Sequence, residues 1–220
     1  MADAERIYEA MKKSIETYDS EAAVAAAEEA VAAGLDLLEA VEKGFANPIR
    51  ELGESFHRME IFLPELTMGA DAMKAGVEVL EKALDEKGGK IEKKAVVVIG
   101  TVEGDIHDIG KSVVATLLHA NGYQVHDLGI DLPASRIIEA AESHGADVIA
   151  LSALLSTTML YQRDVVELLR NKGLKDKYYV LVGGAPVTQA WADEIGADGY
   201  AHDAFEAVQV LDEAMEGRRK

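Results

Sequence analysis

The chain has 220 residues, 49% of them hydrophobic, and carries 40 acidic against 22 basic side chains for a formal charge of -18. That length gives room for one large domain or two small ones, and the acidity argues against partners that are themselves polyanions, such as nucleic acid or an anionic membrane. The absence of cysteine excludes disulfides, cysteine–zinc sites, iron–sulfur ligation and thiol nucleophiles, leaving six histidines and the carboxylates for metal and acid–base chemistry.

Residues 1–10 are acidic and helix-like, without the basic start and apolar core of a secretory signal, and no apolar run reaches the ~18 residues of a membrane span. The expectation is a soluble, cytoplasmic protein.

The first ninety residues are rich in Ala, Glu, Leu and Met, with apolar positions at helical spacing. Candidate helices cover residues 4–18, 20–33, 36–45 or beyond, and 63–84, punctuated at Gly34, at Asn47-Pro48 and at Pro64. Three to five short helices make a small bundle. The sequence DEKGGKIEKK at 85–94 is charged, holds Gly88-Gly89 and has no apolar periodicity, which is linker composition. The expected division is a helical cap at 1–88, a linker at 89–94 and a second domain at 95–220.

In that second part, short apolar runs at 95–101, 123–128, 147–152, 178–182 and 199–201 alternate with helical stretches at 108–120, 134–143, 158–171, 187–195 and 204–215. Near-continuous apolar strands separated by helices predict a parallel sheet covered on both faces, because right-handed βαβ crossovers put helices there. The expected fold class is α/β: an N-terminal helical bundle cap, then a flavodoxin-like (Rossmann-like), doubly wound, five-stranded parallel sheet. Such a sheet binds its ligand beyond the carboxyl ends of the strands, at the switch in strand order.

The loop after the first strand reads Thr101-Val102-Glu103-Gly104-Asp105-Ile106-His107-Asp108-Ile109-Gly110-Lys111. A histidine flanked by carboxylates suits an axial metal ligand whose other ring nitrogen donates to a carboxylate, with Asp105 as the candidate orienter. The competing reading has both aspartates capping the next helix and His107 lining a loop. No G-x-G-x-x-G and no Walker pattern is present, which disfavours dinucleotides and nucleoside triphosphates. After the third strand come Ser152-Ala153-Leu154-Leu155-Ser156-Thr157-Thr158, and after the fourth Gly183-Gly184. Hydroxyls at strand ends bind ligands or cap helices, and paired glycines permit close backbone approach.

Taken together, Asp105-x-His107-x-x-Gly110, Ser152-x-Leu154 and Gly183-Gly184, each after a separate strand, resemble the cobalamin-binding signature of B12-dependent methionine synthase and its relatives. Phe62-Leu63-Pro64-Glu65-Leu66 resembles the helical cap of the same family. A chain of this length with both modules looks like the corrinoid proteins of methylamine and betaine-type methyltransferase systems.

The resemblance implies a protein that is non-catalytic alone and holds cobalamin (methylcobalamin/cob(I)alamin) base-off and His-on. His107 would be the cobalt axial ligand, Asp105 would hold its distal nitrogen, and Thr158 would extend the relay where the family often has serine. Ser152, Leu154, Gly183 and Gly184 would line the slot for the displaced nucleotide tail, with Gly110 completing the first motif. Phe56, Leu63 and Leu66 would cover the methyl face, their spacing suiting one helical face if the turn near Glu60 leaves the helix unbroken; the competing reading is bundle core.

Its implied partners are a substrate-specific methyltransferase, an acceptor methyltransferase and a corrinoid-reactivating protein, with the cap swinging on the linker between transfers. Three alternatives stand beside the carrier: the cobalamin subunit of a radical mutase, a cobalamin-dependent sensor, and a flavodoxin-like domain without corrinoid. The remaining histidines, Trp191 and the methionines read as packing or surface.

Overall fold

A computed structural model of the chain describes residues 2–86 and 93–218. It forms two compact units, one within residues 1–92 and the other within 93–220. Most of the expected linker lies outside the described residues.

The first unit is helical: α1 (Ala2–Glu16), α2 (Ser20–Ala32), α3 (Leu37–Ala40), α4 (Asn47–His57) and α5 (Leu63–Glu86). Asp19 and Asp36 cap α2 and α3 by accepting from backbone N–H groups of the first turn. Gly34 ends α2 with φ 67, which lets its own N–H reach Val31 and that of Leu35 reach Ala30. Buried alanines 23, 26, 27 and 30 of α2 pack along α5, which turns Gly69, Ala70, Ala72, Met73 and Gly76 inward. Small residues on both helices allow a close approach. Gly76 of α5 also leaves the space that the Phe45 ring fills.

Two sequence expectations are corrected in this unit. Asn47-Pro48 does not break the helix: a π-helical turn, Val41–Ala46, joins α3 to α4 and places Pro48 in the first turn of α4, where its missing N–H is tolerated. Phe56, Leu63 and Leu66 do not share one helical face, because α4 ends at His57 and Met59 takes a left-handed backbone, φ 58. The chain restarts as α5, where Glu65 accepts from the N–H of Phe62 and Pro64 sits in the first turn.

The second unit carries β1 (Val96–Thr101), β2 (Gln124–Asp127), β3 (Val148–Ser152), β4 (Tyr179–Gly183) and β5 (Gly199–Ala201) in one parallel sheet of order β2-β1-β3-β4-β5. The crossovers are α6 (Ile109–Ala120), α7 (Ala134–Ser143), α8 (Leu160–Asn171) and α9 (Gln189–Ile195), and α10 (Ala204–Arg218) closes the unit. Side chains alternate along the strands: Val98, Ile149, Leu151, Val180 and Val182 pack under α7, α8 and α9, while Val97, Ile99, Val148, Ala150 and Leu181 meet α6 and α10. Both faces are covered, which is why the strands read as unbroken apolar runs.

This is the expected doubly wound order, and its switch point falls between β1 and β3. Their register pairs Thr101 with Ser152, and Ser152 with Gly183 of β4. The loops leaving these three residues therefore start side by side.

Candidate functional site

His107 is fixed at three atoms. The buried Thr101 hydroxyl donates to its carbonyl at 2.9 Å, its backbone N–H donates to Asp105 Oδ1 at 3.1 Å, and its ring Nδ1 lies 2.7 Å from the same oxygen. Because that oxygen is a carboxylate acceptor, Nδ1 carries the proton, and in the neutral ring Nε2 is the nitrogen that holds the lone pair. The His107 side chain is 46% exposed while that of Asp105 is fully buried.

Asp105 Oδ2 faces the other loop. It accepts from Leu154 N–H at 2.7 Å and from the Thr158 hydroxyl at 2.5 Å, with Leu155 N–H farther away at 3.4 Å. Burial works against the charge on Asp105, but the bonds from Thr158, Leu154 and His107 outweigh it and hold the carboxyl well below the usual range. One buried carboxylate thus joins the loops after β1 and β3 across the switch point.

The helix-capping alternative fails on this geometry. Asp105 bonds to His107 and the β3 loop instead, and Asp108, at the N-cap position of α6, makes no side-chain cap hydrogen bond. Thr158 lies before α8, which begins at Leu160, and its hydroxyl faces Asp105 and the Leu155 carbonyl rather than capping that helix.

The remaining sequence candidates divide by place. Ser152 is half-buried at the end of β3, and its hydroxyl has no partner among the described residues. Leu154 gives its N–H to Asp105 and exposes its side chain. Gly110 lies in the first turn of α6, where a Cβ would meet nothing within 4 Å. Gly184 has φ 124, and a Cβ there would fall 1.8 Å from the Ala153 carbonyl oxygen, so backbone packing alone demands glycine. At Gly183 a Cβ would lie 3.1 Å from the Ala201 carbonyl oxygen.

In the helical unit, Phe56 and Leu63 are half-buried on either side of the α4–α5 turn, while Leu66 is fully buried in the bundle. That turn also exposes Met59 and Phe62.

The sequence reading missed three contributors. Thr101 and Asp131 act on the backbone of the His107 loop: Thr101 reaches His107 within the loop that it begins, whereas the Asp131 contact follows from β2 lying beside β1. Gln162 is fully buried: its amide donates to the carbonyls of Leu151 and Gly183 and accepts from the Trp191 indole, which ties the ends of β3 and β4 together.

The loops after β1 and β3 expose Ile106, Leu154 and Leu155, the first residue of α6 exposes Ile109, and α8 adds Leu160 and Tyr161. An apolar rim beside a lone imidazole lone pair suits a large, flat, partly apolar group. No set of three or more His, Asp or Glu side chains able to enclose a metal occurs among the described residues. A single protein ligand fits a metal whose other positions are filled by a macrocycle. The open space at Gly110 and the unpartnered Ser152 hydroxyl fit a bulky, polar-tailed ligand in the same way.

Comparison with known proteins identifies the class of ligand. A B12 binding domain model matches residues 95–209, and a second B12 binding domain model matches residues 7–81. Dimethylamine corrinoid protein 1 of Methanosarcina acetivorans is 51% identical over 193 residues, covering 88% of this chain and 90% of that one. Dimethylamine corrinoid protein 2 of the same organism is 45% identical over 218 residues, covering 99% and 100%. Among solved structures, the methanol:cobalamin methyltransferase complex of Methanosarcina barkeri matches with a TM-score of 0.85 at 30% identity, covering 96% of this chain and 80% of that one. A cobalamin-binding protein from Desulfitobacterium hafniense DCB-2 matches with a TM-score of 0.70 at 27% identity, covering 94% and 97%. The chain belongs to the family of B12-binding corrinoid proteins.

Proposed function

We propose that the chain is a corrinoid methyl carrier of a methyltransferase system, holding cobalamin with His107 Nε2 as the axial ligand in place of the cofactor's own base. The observation that carries the reading is the Asp105–His107 pair: Nδ1 is bound to a buried carboxylate, so Nε2 remains as the ligating atom at the mouth of the sheet. Bound cobalamin supplies a cobalt centre that accepts and gives up a methyl group.

The chain's own residues orient and enclose. Asp105 holds the imidazole proton at Nδ1, and Thr158 and Leu154 N–H hold Asp105 in its charged form. Ile106, Ile109 and Leu155 offer the ring an apolar bed, and Ser152, Leu154, Gly183 and Gly184, close together at the strand ends, would line the slot for the nucleotide tail. In this reading the chain works with a substrate-specific methyltransferase, an acceptor methyltransferase and a reactivating protein. The two dimethylamine corrinoid relatives support a methylated amine as donor. The helical unit, which matches a B12 binding domain model of its own, supports the carrier over a mutase subunit.

The test is to reconstitute the protein with hydroxocobalamin, reduce it, and supply methylamine-, dimethylamine- or trimethylamine-specific methyltransferase with its radiolabelled amine. Label transferred to this chain in one pairing is expected, with the dimethylamine pairing strongest. No transfer from any amine to a chain that retains corrinoid contradicts the amine reading.

A further inference from the structure

Asp131 lies in the loop between β2 and α7 and takes a left-handed backbone, φ 54. For a non-glycine residue such a conformation is strained and persists where the surroundings fix it. Here two hydrogen bonds do so. Asp131 Oδ1 accepts from Gly104 N–H at 2.7 Å, and the Asp131 N–H donates to the Asp105 carbonyl at 3.0 Å. Side chain and backbone of one residue thus grip the two consecutive residues that lead into the His107 turn.

The flanking residues are anchored as well. Thr101 N–H donates to the Gly129 carbonyl and Leu132 N–H to the Thr101 carbonyl. Asp127 Oδ1 accepts from Gly129 N–H at 2.9 Å, and the buried Lys111 of α6 pairs with the same carboxylate. Residues 127–132 therefore form a strap, fixed at both ends to β1 and α6, with Asp131 at the point where it crosses residues 104 and 105.

We infer that Asp131 is a positioning residue for the Asp105–His107 pair, setting the backbone from which the Asp105 carboxylate reaches donors in two loops at once. Asp105 Oδ1 must meet His107 while Oδ2 meets Leu154 and Thr158, and constellations of this kind tolerate displacements of only about 0.5 Å. A residue needed only to turn the chain would be replaced without loss by glycine, which adopts positive φ freely. The geometric part of the inference stands on its own; its consequence for cofactor affinity rests on the cobalamin reading.

Two variants separate the roles. Asp131→Gly keeps the turn and removes the acceptor, whereas Asp131→Asn keeps an acceptor oxygen and tolerates the left-handed backbone. Cofactor-free protein is examined by NMR for Gly104 amide exchange and for the His107 ring nitrogens at one fixed pH, and hydroxocobalamin affinity is measured by titration. In Asp131→Gly the Gly104 amide is expected to exchange about tenfold faster, the ring to lose its preference for Nδ1–H, and affinity to fall about tenfold, the lower end for outer-shell partners of a metal ligand. Asp131→Asn is expected within about twofold of the parent protein. An Asp131→Gly protein with parental ring signals overturns the inference. If that variant does not fold, fast exchange of Gly104 in the parent protein overturns it equally. A parent protein that retains no corrinoid refutes the cofactor reading and leaves the ring signals to decide this one.

Discussion

The Thr158 hydroxyl, from the loop after β3, donates to Oδ2 of Asp105, from the loop after β1, across 2.5 Å. Both residues are buried, so this bond operates where water does not compete. Thr158→Val keeps the shape and removes the donor, and losing a hydrogen bond to a charged group is expected to cost about 1.5–3 kcal/mol of stability. Thr158→Ser retains the hydroxyl and is expected to recover most of it. Urea unfolding of the cofactor-free variants checks this; equal stability of the valine and serine forms contradicts it.

The glycines of the two motifs are expected to respond in opposite ways. Gly184→Ala places a Cβ on the Ala153 carbonyl at a φ that side chains rarely adopt, and is expected to lose about 3 kcal/mol or more, or to fail to fold. Gly110→Ala meets no neighbour and starts a helix turn, so its stability is expected to stay within about 1 kcal/mol of the parent's. The larger Gly110→Val is expected to fold while binding hydroxocobalamin more weakly. Thermal melts and cofactor titrations check both; a stable Gly184→Ala contradicts the backbone argument, and unchanged affinity in Gly110→Val contradicts the placement of the ligand.

Legibility in the sequence followed the range of the interactions. The strands were readable because each is buried on both faces and is a run of apolar residues, and their alternation with helices fixed the class of sheet. The Asp105-Ile106-His107 segment was readable as a unit because the carboxylate and the ring it binds are two residues apart. Leu154 N–H meeting that carboxylate was not, since this contact joins residues 49 apart and depends on β1 lying beside β3. Asp131 escaped for the same reason: its partners belong to a loop 27 residues earlier. Pro48 misled because its usual meaning is a helix end, and only the π turn before it lets the helix continue.

His126, on β2, stacks on His144 with ring centroids 3.9 Å apart and planes 20° from parallel. Burial first, then the nearby charges of His144 and Lys93, hold its imidazole below the ordinary value of 6.5. Above that value it is neutral in folded and unfolded chain alike. As pH falls below 6.5 the unfolded chain takes up the proton first, so this residue's share of stability declines until the lower folded value is passed, and then levels off. Urea midpoints at pH 7.5 and 5.5 are expected to differ less in His126→Gln than in the parent protein; an identical difference in the two contradicts the assignment.

The central claim is that His107 holds cobalt through Nε2. Purified chain is incubated with hydroxocobalamin, desalted, and its visible spectrum recorded beside that of His107→Ala. The account predicts about one corrinoid retained per chain, with a spectrum that shows the cofactor's own base displaced and that changes in the alanine variant. Retention with identical spectra in the two proteins contradicts His107 as the ligand, and no retained colour in the parent protein contradicts the carrier itself.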